Sequence, residues 1–129
     1  MRSPAMAARH RASASVARMM LVCFRAMTGD FAAKNIAAMM PELLIAMVVR
    51  VNDESGLMPI SISSIARLTG IPRRSVTRRI ERLIQRGVVL QKDGGITGND
   101  GYLKARIDAA YFRMVVEAIR NAARELENF

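Results

Sequence analysis

Residues 64 to 89 read Ser64-Ile-Ala-Arg-Leu-Thr-Gly-Ile-Pro-Arg-Arg-Ser-Val-Thr-Arg-Arg-Ile-Glu-Arg-Leu-Ile-Gln-Arg-Gly-Val-Val89. Ala66 and Gly70 stand four apart. A small Ala lets a second helix approach closely, and Gly accepts the positive φ of a tight turn. After the turn, Val76, Ile80, Leu83 and Ile84 fall on one face of a helix expected from about Pro72 to Arg86 and closed by Gly87. Ile62, Ile65 and Leu68, just before the turn, complete a small core. The opposite face of the second helix carries Arg74, Arg78 and Arg82, with Ser75 beside them. One side of that helix is committed to a core and the other to cations.

The charge of the whole chain points to the same place. The 129 residues carry a net charge of +9 from 20 basic and 11 acidic groups. Residues 61–92 hold eight of the basic groups and only one acid, Glu81. Residues 1–29 hold five Arg and no acid, while the two remaining stretches are each slightly acidic. Seventeen of the basic residues are Arg, whose rigid fork matches phosphate oxygens and guanine edges in a way Lys cannot. A localised basic block is the footprint of a polyanion partner. The plainer reading is a solvated helix face.

Upstream, Met1 to about Ser13 reads as a mobile basic arm, and Ser15 to Met27 as a helix. Its apolar stripe is Val16, Met19, Met20, Cys23, Phe24 and Met27, at three- and four-residue steps. Thr28-Gly29-Asp30 is expected to stop it and start a short helical segment from Phe31 to Met40. Pro41 suits the first position of a further helix, reaching about Val51, which is apolar nearly all round and so expected to be buried. Asn52 to Gly56 is a polar loop, and Pro59 to Ile62 a short extended piece. Ser63 is expected to cap a short helix over Ser64 to Thr69. Downstream, Val88 to Gln91 reads as a strand, Lys92 to Gly101 as a mobile hairpin tip, and Tyr102 to Ile107 as the returning strand. Asp108 then caps a last helix from Ala109 to about Asn128.

Helix, short strand, helix, turn, helix and hairpin is the order of a winged helix-turn-helix. The stretch from Ser64 to Val89 resembles the helix-turn-helix core of bacterial winged-helix transcription regulators. It is similar to the multiple-antibiotic-resistance-regulator (MarR) family over about Ile60 to Ile107. The resemblance implies a mainly α fold, with a small β-hairpin wing and flanking N- and C-terminal helices. It also implies that the second helix reads base edges in the major groove while the wing touches phosphate or the minor groove. Carried onto this chain, Arg73, Arg74, Ser75, Thr77 and Arg78 fall on the base-proximal turns. Ser63 and Arg67 fall on the supporting helix, and Lys92 and Lys104 flank the wing.

The candidate DNA-binding residues are therefore Ser63, Arg67, Arg73, Arg74, Ser75, Thr77, Arg78, Arg82, Lys92 and Lys104. Arg74 and Arg78 are the best base readers, because a bidentate Arg–guanine pair discriminates by roughly 1–3 kcal/mol. Either could instead hold a phosphate. Ser75 and Thr77 could bind phosphate or a thymine methyl, or cap and pack the helix start. Arg67, Arg73, Arg82, Arg86 and Lys92 suit phosphate contacts, which position a protein without carrying sequence content. Arg79, where an apolar residue is more usual, is expected at the edge of the core with its charge turned outward. Glu81 could orient Arg78.

The expected division is a basic arm over residues 1–14, N-terminal helices for core and dimerisation over 15–56, the DNA-binding module over 57–107, and a dimerisation helix over 108–129. In that last helix Phe112, Val115 or Val116, Ile119, Ala122 or Ala123, Leu126 and Phe129 follow three- and four-residue steps. With the stripe from Val16 to Met27 this suggests a homodimer, or else intrachain packing of the two terminal helices. The Met cluster is most simply core, although flexible Met can line a pocket for a small-molecule effector. His10 is the only histidine, Cys23 the only cysteine, and no catalytic triad, phosphate loop or metal-ligand spacing stands out. No cofactor, no enzymatic activity and no membrane span are expected, and the reducing cytoplasm fits the lone thiol. The leading expectation is a sequence-specific double-stranded-DNA-binding transcription regulator, acting as a homodimeric repressor. The rivals are a winged-helix protein of plasmid or phage replication or of nucleoid organisation, and a winged-helix protein-interaction module.

Overall fold

The computed structural model describes residues 1–31, 34–56 and 58–129. Its elements are α1 (Pro4–Asp30), α2 (Ile36–Glu54), α3 (Ile62–Thr69), α4 (Arg73–Gln85), β1 (Val89–Lys92), β2 (Gly95–Gly98), α5 (Asp100–Ile107) and α6 (Ala110–Glu125). The fold is mainly helical with one small antiparallel hairpin. The chain divides into two compact units. The first comprises residues 1–36 and 107–129, the second residues 37–106.

In the first unit α1 and α6 pack against each other. Cys23 of α1 is buried with Val115 and Ala118 of α6, and Met19, Val22, Ala26, Met27 and Tyr111 pack around them. Arg18 Nη1 meets Glu125 Oε1 at 3.3 Å. Arg18 precedes Cys23 while Glu125 follows Ala118, so the two helices run antiparallel. At 100° per residue, Arg18 lies on one flank of the buried stripe of α1, and Val16 and Met20 on the other. Glu125 likewise lies on one flank of the buried stripe of α6, and Phe112 and Ile119 on the other. The ion pair fixes one side of the helix pair as polar. Val16, Met20, Phe112 and Ile119 then share the opposite side, where Ile119 is 49% exposed and Met20 44%.

The expected basic arm is not separate from the first helix. Ser3 caps α1, its Oγ accepting from the Met6 N–H at 3.2 Å, and Pro4 stands at the first helical position. These two devices start the helix eleven residues earlier than Ser15. Thr28 and Gly29 do not stop it, and Thr28 Oγ1 donates back to the Phe24 carbonyl at 2.7 Å inside the helix. Of the segment expected from Phe31 to Met40, Ala32 and Ala33 lie outside the described residues, as does Leu57 at the start of the expected DNA-binding module.

In the second unit Pro41 sits inside α2 rather than starting a helix. It removes one N–H and leaves the Ala37 carbonyl without its helical donor. Met39 and Leu43, one turn apart on either side of that step, are both buried and hold the helix together. The helix is not buried all round. Met39, Leu43, Ile45 and Val49 are covered, while Leu44, Met47 and Val51 form an exposed stripe. α2 belongs to the same compact unit as the helix-turn-helix residues, not to that of α1.

The hairpin is shorter and tighter than the sequence reading. Asp93 and Gly94 have φ of 50° and 77°, the pair of positive values that a two-residue type I′ turn demands. The register pairs Lys92 with Gly95 and Val89 with Gly98. The strand that returns is thus Gly95–Gly98, from within the stretch read as a loop. Tyr102 to Ile107 is not a strand but part of α5. Asn99 starts that helix, its Oδ1 accepting from the Gly101 N–H at 3.0 Å and its carbonyl from the Leu103 N–H at 2.9 Å. Arg106 stacks over the Tyr102 ring one turn away, 5.3 Å from its centroid. Asp108 does not cap α6. The N-cap is Ala109, with no side-chain bond.

Burial pushes the Cys23 thiol above its ordinary pKa. The thiolate therefore appears at higher pH in the folded chain than in the unfolded one. A chromogenic disulfide reagent should label Cys23 at neutral pH at least roughly tenfold more slowly in the native chain than in denaturant. Equal rates would place the thiol outside the α1–α6 contact.

Candidate nucleic-acid interface

The turn between α3 and α4 is built from three local devices. Ser61, not Ser63, caps α3. Its Oγ accepts from the Ser64 N–H at 3.1 Å, which leaves Ser63 in the first turn with an exposed side chain. Gly70 ends α3 at φ 76°, its N–H donating to the Ala66 carbonyl at 2.9 Å. Thr69 Oγ1 donates to the Ile65 carbonyl at 2.8 Å and accepts from the Ile71 N–H at 3.2 Å. Pro72 then supplies the extended step into α4, which has no side-chain N-cap.

The orientation of α4 follows from what it must bury. Val76, Ile80 and Leu83 are at most 2% exposed. α4 packs on α3 and on β1, where Ile65 and Val89 are likewise buried. At 100° per residue, Arg74 and Arg78 point away from that seam, and Arg82 lies to one side of them. All three are exposed, as is Arg73. Ser75, Thr77 and Arg79 are half-buried, so Arg79 does sit at the edge of the core. The Thr77 hydroxyl donates to the Arg73 carbonyl at 3.1 Å and keeps only its acceptor lone pairs outward. Arg67 is exposed on α3. Leu68, expected in the core, is 63% exposed, because it lies about 60° round α3 from Ile65 on the flank away from Ile62, Ala66 and Thr69. Arg86 turns towards α2, where its Nη1 lies 3.9 Å from Oε2 of the largely buried Glu42.

Lys92 is exposed at the end of β1, beside the turn. Lys104 is exposed on α5, a helix where the sequence suggested the returning strand of the wing. The structure thus groups Arg74, Arg78 and Arg82 on α4 with Arg73 exposed at its first turn, puts Lys92 on the hairpin, and carries Lys104 on α5.

Sequence reasoning missed the residues that fix the hairpin. Ile60 and Ile96 form an antiparallel bridge, with N···O distances of 3.0 and 2.8 Å. Asp53, read as part of a polar loop, ends α2 and clamps β2. Its Oδ1 accepts from Thr97 Oγ1 at 2.8 Å, and its Oδ2 from the Gly98 N–H at 2.7 Å. A Cβ on Gly95 would lie 2.6 Å from the Pro59 carbonyl oxygen, so the strand packs against Pro59 with no room for a side chain. The readable signal was Asp93-Gly94, the strongest two-residue hairpin pattern. It would have placed β2.

Two glycines should respond differently to substitution. Gly70→Ala meets no atom within 4 Å and costs only the left-handed backbone, about 1–2 kcal/mol. Gly95→Ala must displace the Pro59 backbone, which costs roughly 1–3 kcal/mol and shifts the hairpin itself. Urea midpoints give both costs. Amide exchange at Ile60 and Ile96 should accelerate relative to the global opening rate in Gly95→Ala and not in Gly70→Ala.

Among the described residues no group of three or more His, Cys, Asp or Glu could hold a metal ion. No described helix is long and apolar enough to cross a membrane. A family model for winged helix-turn-helix DNA-binding segments matches residues 59–90, which run from the Ile60 bridge through α3, the turn and α4 into β1. No curated protein and no solved structure matches the chain. The match falls on the segment whose geometry places the arginines outward, and the chain carries a winged helix-turn-helix of the DNA-binding kind.

Proposed function

We propose that the protein is a sequence-specific, double-stranded-DNA-binding transcription regulator of the bacterial, MarR-like type, acting as a homodimeric repressor. The observation that carries the reading is the division of α4. Val76, Ile80 and Leu83 on its apolar face are covered, and Arg74 and Arg78 stand opposite them with their side chains exposed. A helix presented this way can enter a major groove and meet guanine edges. Arg73, Arg82, Arg67 and Ser63 flank it as phosphate contacts, and Ser75 and Thr77 act at the first turns of α4. Lys92 adds a contact from the wing. Lys104, being on α5, contributes only to the general field. Residues 57–107 form the reading module in this account, and the cytoplasm is where it meets its DNA.

The dimer is supported by the first unit. Two helices bury a narrow stripe that includes Cys23, Val115 and Ala118, and leave an apolar side formed by Val16, Met20, Phe112 and Ile119. A second copy of the same pair would cover that side as a four-helix arrangement with two-fold symmetry. Two α4 helices related in this way would address half-sites one turn of DNA apart, roughly 34 Å. Occupancy of such a site is enough to repress.

The test is selection of bound fragments from the source genome at two salt concentrations, using wild-type chain and an Arg74→Ala/Arg78→Ala variant. The expected result is one inverted-repeat motif upstream of a few genes, lost in the variant. Recovery of all sequences alike, with no change of ranking in the variant, would contradict sequence-specific reading. A Met20→Glu/Ile119→Glu variant should sediment as a monomer and bind an inverted repeat no more tightly than a single half-site.

A further inference from the structure

We infer that α1 carries a second contact for the DNA backbone, a stripe of Arg11, Arg18 and Arg25 separate from the α4 surface. The inference rests on the chain being a DNA-binding protein, and it concerns a part of the chain that the helix-turn-helix does not include. α1 is one continuous helix from Pro4 to Asp30. Seven residues turn an α-helix by 20° short of two full turns, so the three arginines stay within about 40° of one another. They stand about 10 Å apart along the axis. All three side chains are exposed. No acidic residue precedes Asp30, so nothing on the helix itself neutralises them.

The stripe lies on the polar side of the helix pair, the side closed by Arg18 and Glu125. The apolar flank with Val16 and Met20 faces away from it, so a second copy seated on that flank would leave the stripe open. The ion pair joins Arg18 to the last residue of α6. Most of α1 before Arg18 therefore runs past the end of its partner helix, and Arg9, His10 and Arg11 are exposed there. An isolated helix of that length is marginal in water. A polyanion lying along Arg11 and the positive N-terminal end would supply the missing stabilisation. Apart from His10, every basic side chain before Lys34 is Arg, whose paired N–H groups match phosphate oxygens. Anionic lipid is the less fitting polyanion, because a helix on a bilayer must sink its apolar flank into it, and here the flank with Val16 and Met20 is the one that a second copy would cover.

The experiment measures duplex binding by the full chain across salt concentration, using a labelled duplex of about three helical turns and fluorescence anisotropy. Two variants are compared with wild type. Arg11→Gln/Arg25→Gln leaves the Arg18–Glu125 pair intact, and Arg11→Gln/Arg18→Gln/Arg25→Gln removes the whole stripe. Far-ultraviolet dichroism checks that both remain helical. Each phosphate contact contributes about 0.9 to the slope of log affinity against log salt, so the double variant should lower the slope by nearly two. Between 50 and 200 mM salt it should then lose about tenfold less affinity than wild type does. The order of preference among duplex sequences should not change.

A slope equal to that of wild type overturns the inference and leaves the α4 reading standing. Failure of the wild-type chain to bind any duplex overturns both. Loss of binding to phosphatidylglycerol vesicles in the variants, with the DNA slope unchanged, overturns it in favour of a lipid surface.

Discussion

The structure depends on one constraint, the burial of Val76, Ile80 and Leu83 of α4. Those three residues set the rotation of the helix about its axis. Fully burying an aliphatic side chain contributes about 1.5–3 kcal/mol, and no exposed ion pair on the other face competes with that. Once they are inward, Arg74 and Arg78 have no place except outward. The outward placing of these cations is thus a consequence of core packing, not a separate feature added to it. The αL glycine at Gly70 and the Thr69 hydroxyl serve the same end, because they aim α4 at the seam formed by α3 and β1.

The hairpin depends on a second, smaller constraint. A two-stranded hairpin alone is marginal in water. Here the edge of β2 away from β1 is held as well, by the Ile60–Ile96 bridge and by the carboxylate of Asp53. The wing of this chain is consequently short and fixed to the end of α2, and Lys92 is held beside its turn. A regulator that must present cations at set positions along a phosphate backbone gains from such a platform, because little ordering remains to be done on binding.

Much of this was legible in the chain. The α3–turn–α4 core was readable because a period near 3.6, a glycine at the turn and an arginine stripe agree with one another. The wing was misread because four glycines suggested a loop, although Asp93-Gly94 is itself a turn signal with strands on either side. α5 was mistaken for a strand because its cap, Asn99, lies inside that same glycine-rich stretch. The early start of α1 was legible in Ser3 and Pro4 but was outweighed by the basic composition around them. Asp53 could not be found from sequence, since its partners Thr97 and Gly98 are more than forty residues away and carry no charge. The exposure of Leu44, Met47 and Val51 was equally hidden, because composition does not say which side of an apolar helix meets a neighbour.

The proposed function requires that DNA sit on the outward face of α4. The most direct measurement is a titration of isotope-labelled full chain with a duplex containing its selected site, followed by amide and Arg side-chain resonances. The largest shifts are expected on the first two turns of α4, at Arg73, Arg74, Ser75, Thr77 and Arg78, with a smaller set from Lys92 to Gly94. Shifts that spare α4 and gather instead on the Leu44–Met47–Val51 stripe of α2 would contradict it.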